Sequence, residues 1–329
     1  MKKIINQPAD VVDQMLSGLT RAYPSFVRRL ADTDVLVRTV STSQVQLISG
    51  GGSGHEPSHA GFVGDGMLSA AVCGQVFTSP TPDQIYEAAK AVDTGAGVFF
   101  IIKNYSGDVM NFDMAKDMAE LDGIAVDFVI VDDDIAVENS TYTQGKRGVA
   151  GTVLVHKILG DAARNGASLS DIKAQADKLI PQIHTLAVAL SGATVPEVGK
   201  PGFVLADDEI EFGVGIHGEP GYRREKMAPS QALAKELVTK LLASYDGDNT
   251  SSYAILVNGM GATPLMEQFI FINDVLDLLS AAGITVAFQK VGNLMTSIDM
   301  AGISLTMVRL SDPAWLDALN ADVTTIAWG

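Results

Sequence analysis

The sequence predicts an α/β fold: a two-domain subunit with largely parallel sheets flanked by helices, the second domain being open to a mixed α+β order. Short β-branched runs alternate with longer segments of helical period. The strand candidates are almost wholly apolar, as strands covered on both faces must be. The chain has 329 residues, enough for two domains at about 100–200 residues each.

Strands are predicted at Val45–Ser49, Val98–Ile102, Ile124–Val131, Tyr253–Val257 and Ile284–Phe288. A helix is expected over Asp83–Val92, because the prolines just before it suit a helix start. Val109–Leu121 and Gly151–Arg164 carry the same period, the latter stopping before Gly166. Pro264–Ala282 runs to Gly283, which reads as a C-terminal cap. Leu169, Ile172, Ala176, Leu179, Ile180, Ile183 and Leu186 also fall at helical spacing, with Ser168 or Ser170 as the cap. Pro181 lies inside that pattern, removes one backbone donor, and should kink or split the helix. A domain boundary is placed there, giving an N-terminal α/β domain over 1–183 and a C-terminal domain over 184–329, whose last residues are free to pack on the first. Ser191–Lys200 reads as linker or functional loop, and Asp246–Ser252 as a polar surface loop.

Hydrophobic residues make up 47% and charged residues 19%, which suits a well-packed globular chain. A single cysteine, Cys73, excludes an internal disulfide framework and fits a reducing compartment, where it serves as a small buried hydrophobe. The formal net charge is −16 and no basic patch offsets it, which argues against nucleic acid and anionic membrane as partners. Lys2-Lys3 before Ile4-Ile5 is too short for a signal peptide. No run approaches the ~20 apolar residues of a membrane span. A cytoplasmic location follows as the expectation.

In open α/β sheets, ligands bind at the carboxyl ends of strands. The loops after Ser49, after Ile102 and around Gly215 are therefore the places to look. Gly50-Gly51-Gly52-Ser53-Gly54-His55 has more glycine than a turn needs, and glycine lets backbone approach a ligand closely. It is not a phosphate-binding Walker loop, since no Lys-Ser/Thr follows at the required spacing. His55-Glu56-Pro57-Ser58-His59 matches the zinc-protease pattern only in letters: Pro57 and the flanking glycines deny the helix that would put both imidazoles on one face. Gly213 to Gly218 matches a dinucleotide fingerprint, but Pro220-Gly221 cannot open the helix that cradles a pyrophosphate. What remains there is His217 among small residues. Lys103 and Asp108 flank the end of a strand, with Asp108 also suited to cap a helix. Asp132-Asp133-Asp134 lacks the spacing of a calcium loop, and no metal site is expected. Arg223, Arg224 and Lys226 form a local basic group beyond His217, read either as solvated loop charge or as docking residues for a partner.

Together, Gly50–Pro57, Lys103–Asp108 before Val-Met-Asn-Phe, Val131–Ala136, Gly215–Gly221 and Asn258–Met266 resemble the dihydroxyacetone kinases over nearly the whole chain. The chain stops before the nucleotide-binding domain of the single-chain ATP-dependent members could fit. The resemblance is therefore to the K subunit of the bacterial phosphoenolpyruvate-dependent type. It implies that His217 forms a covalent hemiaminal with the ketone of dihydroxyacetone and that Asp108 activates the hydroxyl that takes the phosphoryl group. It also implies that His55, Lys103, Gly52 and Ser53 orient the substrate. No cofactor is expected on this chain. A separate L subunit would carry ADP or ATP with magnesium, an M subunit would recharge it from phosphoenolpyruvate, and this chain would be a homodimer.

Covalent capture selects for a carbonyl, so glycerol is refused in a way that shape alone would not achieve. Leu294, Gln75 and Ser106 stand where the family usually has tyrosine, an acidic residue and threonine. These departures keep open a second reading: a non-catalytic paralogue that binds dihydroxyacetone and serves as coactivator of a transcriptional regulator.

Overall fold

The apolar runs of the first half pair into one six-stranded sheet, in the order β1-β2-β4-β3-β5-β6. Its strands are β1 (Val27–Arg29), β2 (Val35–Arg38), β3 (Gln46–Ser53), β4 (Ala70–Val76), β5 (Val98–Lys103) and β6 (Val126–Val131). A computed structural model describes residues 2–137, 143 and 145–328, so the outer limits of the two expected domains, residues 1 and 329, lie outside the described part. Within this sheet β4, β3, β5 and β6 are parallel, while β1 and β2 run antiparallel at one edge.

The period-two pattern of β5 shows why it is buried on both faces. Phe100 and Ile102 pack with Ile85, Ala88, Phe112 and Ala115, which belong to α2 (Pro82–Val92) and α3 (Ser106–Leu121). Phe99 and Ile101 face the other way, into a core with Leu16, Val153, Leu154 and Ile172. These come from α1 (Val11–Ala22), α4 (Gly151–Arg164) and α5 (Leu169–Leu179).

The second sheet has the order β11-β10-β12-β7-β8-β9, built from β7 (Ile183–Ala189), β8 (Glu209–Phe212), β9 (Arg223–Lys226), β10 (Ser252–Gly259), β11 (Thr285–Gly292) and β12 (Gly302–Arg309). Only β10 and β11 pair in parallel; the other pairs are antiparallel. This is the mixed second half that the sequence admitted. One face packs under α6 (Ser230–Ala243) and α7 (Leu265–Ala281) through Leu237, Leu241, Phe271 and Val275. The other face sends Ala187, Ala254, Leu256 and Val308 into the same core that underlies the first sheet.

Residues 169–186 do not form one helix. α5 ends at Leu179, a 3-10 turn spans Ile180–Gln182, and Ile183 and Leu186 belong to β7. Pro181 is the cause, since it can neither donate nor tolerate a preceding helical turn. Several elements beyond the sequence expectations are present: α1, α6, β1, β2, β4, β9, β12 and α8 (Pro313–Asn320).

α4 sits between the sheets and is buried on nearly every side. Lys157 on this helix donates to the carbonyl of Ala318 at the end of α8. Gly160 faces the turn at Gly66–Met67, where an added Cβ would lie 2.5 Å from both the Gly66 carbonyl oxygen and the Met67 Cα. Alanine at 160 would favour the helix by ~1 kcal/mol, but overpacking against backbone costs ~1–3 kcal/mol. Gly160→Ala should therefore lower the urea midpoint, with a net loss of up to about 2 kcal/mol; a raised midpoint would contradict this packing.

Candidate active site

β3 carries glycines near its end because other segments press against it there. A Cβ at Gly51 would collide with the Lys103 ammonium, and one at Gly52 would lie 2.5 Å from the Thr78 amide and 2.7 Å from Phe77. Beyond them the chain turns and sets His55 almost fully inside the protein. Its Nδ1 lies 2.7 Å from the Thr296 carbonyl. A carbonyl only accepts, so Nδ1 carries the proton and Nε2 is left with a lone pair. That Nε2 lies 3.0 Å from Nε2 of His217. The His55 ring stacks on Phe77 with centroids 5.1 Å apart.

His217 arrives from the other sheet, in the turn after β8. Tyr105 and Phe77 meet its ring edge-on, at centroid distances of 4.5 and 5.1 Å. Glu219 holds it from behind: the His217 amide donates to Glu219 Oε2 at 2.6 Å, and Oε1 lies 3.4 Å from His217 Nδ1. Burial alone would raise the Glu219 carboxyl, but His217 and Arg147 outweigh it and hold it below the usual carboxylate range. Gly215 must be glycine, because a Cβ there would strike Glu219 Oε2.

Arg147 in turn donates to Asp134 at 2.7 Å and to the Gly213 carbonyl at 2.7 Å. Asp133 accepts from the Val149 and Gly151 amides at the start of α4, each at 2.8 Å. Asp134 thus braces the loop of His217 through Arg147, and Asp133 caps a helix. Among the described residues, no three His, Cys, Asp or Glu side chains gather as a metal ion would need.

Asp108 lies in the first turn of α3, where the amide dipoles favour a negative charge. Its Oδ2 is 3.5 Å from the Lys103 ammonium. Its buried Oδ1 has no hydrogen-bond partner among the described residues. Both groups are almost completely buried.

These elements enclose a cleft of about 420 Å³ whose lining includes Gly52, Phe77, Tyr105, Ser106, Asp108 and His217. Of the residues singled out in the sequence, Gly52, Asp108 and His217 therefore face the cleft. His55 stands behind His217 and Lys103 behind Asp108. The Ser53 hydroxyl turns away and donates to the Gly74 carbonyl at 2.7 Å. His55 and His59 do not converge, since His59 points to Lys103 and His156. The Gly213–Gly218 turn leads into no helix until Ser230. Arg223, Arg224 and Lys226 are not loop charges: they lie on β9, paired with Glu225 and Glu236, with Glu211, and with Asp208. Cys73 is buried, its thiol pushed up to about 12 chiefly by burial. Sequence reasoning did not find Glu219, Phe77, Tyr105 or Thr296. Glu219 alone had a signal, being two residues from His217 in a glycine-rich loop.

The Dak1 domain matches residues 17–327 of the chain. The dihydroxyacetone-binding subunit of a PTS-dependent dihydroxyacetone kinase from Lactococcus lactis is 65% identical, over 100% of this chain and 99% of that protein. A corresponding subunit from Listeria innocua is 59% identical, with full coverage of both chains. An operon coactivator from Lactococcus lactis is 46% identical over 99% of this chain and all of that one. Among solved structures, the dihydroxyacetone kinase of C. freundii superposes with a TM-score of 0.91 at 35% identity, covering 99% of this chain and 60% of that one.

The buried imidazoles make stability depend on acidity. Burial, the largest cause, depresses His55 and His59 well below the ordinary histidine value and pushes His156 down to about 3 and His184 to about 4. Unfolded histidines take up protons near ~6.5, whereas these folded ones do not. Their contribution is therefore present above that pH and lost as pH falls, at about 1.4 kcal/mol per pH unit per histidine. Urea midpoints should drop from pH 6.5 to pH 4.5, and His156→Gln should flatten the slope by about one proton. A wild-type midpoint independent of pH over that interval would contradict the buried neutral state.

Proposed function

The chain belongs to the Dak1 domain family, and from that premise we propose that it is the dihydroxyacetone-binding subunit of a phosphoenolpyruvate-dependent dihydroxyacetone kinase. One observation carries the reading: His217 and Asp108 line the same cleft, and the buried Asp108 carboxylate has one oxygen, Oδ1, with no hydrogen-bond partner among the described residues. The names of the relatives at 65% and 59% identity support it.

The capture step follows from the positions of donors and acceptors. Glu219 favours a proton on Nδ1 of His217, and Thr296 requires one on Nδ1 of His55. The His217 Nε2 lone pair adds to the ketone carbon, and the C=O π pair moves to oxygen, which takes a proton from solvent while Nδ1 of His217 returns its proton to solvent through Glu219. The result is a neutral hemiaminal whose new hydroxyl can donate to the His55 Nε2 lone pair, 3.0 Å from His217 Nε2, so protons and charge balance. A terminal hydroxyl of the captured triose then gives its proton to Asp108 Oδ1 while its oxygen takes the phosphoryl group, releasing ADP. This is general-base catalysis combined with positioning.

In this reading ATP and magnesium sit on a separate L subunit, recharged through an M subunit from phosphoenolpyruvate, and this chain works as a homodimer that holds only the triose. The coactivator at 46% identity supports a second reading, ligand sensing without transfer.

Reconstitution with L and M subunits, phosphoenolpyruvate and dihydroxyacetone should yield dihydroxyacetone phosphate. Asp108→Asn should still bind the triose but lose at least ~100-fold in turnover. With triose carrying carbon-13 at the ketone, the bound carbon should become tetrahedral in wild type and remain trigonal in His217→Ala. A trigonal carbon in wild type would sink the adduct. An inactive wild type that binds a regulator when triose is present would transfer the assignment to the sensor.

A further inference from the structure

A second row of titratable side chains runs away from the cleft into the core. The Lys103 ammonium, 3.5 Å from Asp108 Oδ2, donates to the Gly50 carbonyl at 3.1 Å and lies 3.1 Å from Nε2 of His59. Nδ1 of His59 lies 2.9 Å from Nε2 of His156 on α4. Each of these four side-chain-bearing residues is at most 5% exposed. The reaction proposed above uses Asp108 and leaves both histidines without a task.

Donor and acceptor counting fixes their tautomers. An ammonium only donates, and three acceptors surround it: Gly50 O, Asp108 Oδ2 and His59 Nε2. His59 therefore holds a lone pair at Nε2 and its proton at Nδ1, which it donates to Nε2 of His156. His156 then carries its own proton on Nδ1, which has no partner among the described residues. Burial first, and then the Lys103 charge, push both imidazoles down, His156 to about 3. Both rings are accordingly neutral. Burial also lowers Lys103, and Asp108 opposes that effect.

We propose that His59, held in one tautomer by His156, is a positioning residue for the phosphoryl-acceptor site: it takes the third ammonium proton of Lys103 and so fixes Asp108 with Oδ2 toward the lysine and Oδ1 toward the cleft. This rests on the reading of Asp108 as the base in phosphoryl transfer. The groups that face Lys103 are Asp108 from α3, His59 from the loop after β3, His156 from α4 and, farther off, His55. With a leucine at 59, the ammonium would have one acceptor fewer and would give up its proton at lower pH. Capture at His217 would be untouched.

The test is turnover against pH in the reconstituted system for wild type, His59→Leu and His59→Gln, whose Oε1 can replace the lost acceptor. The alkaline limb of kcat should move down by about one pH unit in the leucine variant, so that on the alkaline side of both limbs its kcat is about tenfold lower. KM for dihydroxyacetone should stay unchanged, and the glutamine variant should recover most of the shift. A leucine variant with the wild-type profile, or a glutamine variant no better than leucine, overturns the proposal. Nitrogen-15 spectra of the wild type, which has five histidines, give a readout that needs neither variant nor turnover. His59 and His156 should both appear as the Nδ1–H form, unchanged between pH 6 and 9; an Nε2–H form or titration of either ring overturns the arrangement. An inactive wild type would remove the role along with the kinase reading, and the spectrum would still decide the hydrogen-bond arrangement separately.

Discussion

The contact between Nε2 of His55 and Nε2 of His217 joins two halves of the molecule that are otherwise built separately. One ring follows β3 of the first sheet and the other follows β8 of the second. Backbone bonds hold the junction: the Ile298 amide donates to Gly54 at 2.7 Å and the Thr296 amide to His55 at 3.2 Å. Reactive groups must be held to within about 0.5 Å of a productive geometry, so the placement of one sheet on the other is itself part of the site. A shared core, with Phe99 and Ile101 from one sheet and Leu256 and Val308 from the other, provides that placement.

Burial is the second constraint. Removing one partner of a buried ion pair costs about 3–5 kcal/mol, so charges set this deep must come in matched sets. Arg147 pairs with Asp134, Lys103 with Asp108, and Glu219 faces His217. The same logic accounts for the run Asp132-Asp133-Asp134. Asp134 neutralises an arginine that braces the His217 loop, and Asp133 satisfies the orphan amides at the start of α4. Two of the three carboxylates in this run are thus taken up by the protein's own donors.

Much of the fold was legible because the informative segments were locally consistent. Val98–Ile102 is apolar throughout and lies within a central parallel strand; Gly151–Arg164 reads as a helix and is one with those bounds. The 169–186 pattern misled because apolar spacing alone does not separate a helix from a helix followed by a strand, and Pro181 marked the change. The glycines of β3 and the loop of His217 pointed to the cleft, since glycine runs beyond a turn's need signal close approach. Glu219, Thr296 and His156 were less visible. Thr296 acts through its backbone carbonyl, which leaves no trace in residue identity. His156 sits on a helix whose period is satisfied without it, and only the three-dimensional approach of α4 to the loop after β3 gives it a partner, His59.

The three departures from the family pattern bear unequally on what the chain does. Gln75 lies exposed at the end of β4, and Leu294 is packed in the core away from the cleft lining. Only Ser106 reaches the cleft. On the proposed reading, capture of a ketone uses His217, His55 and Glu219, and a sensor would need these as much as a kinase does. Transfer needs something more: a carboxylate with one oxygen free to receive a hydroxyl proton. An unmatched buried carboxylate oxygen costs about 1–3 kcal/mol or more; Glu219 Oε1 is one such atom, facing His217 Nδ1 at 3.4 Å. Asp108 keeps such an oxygen, held in place by an equally buried lysine. On the proposed reading, the Asp108 side of the cleft, rather than His217, is where transfer and sensing part.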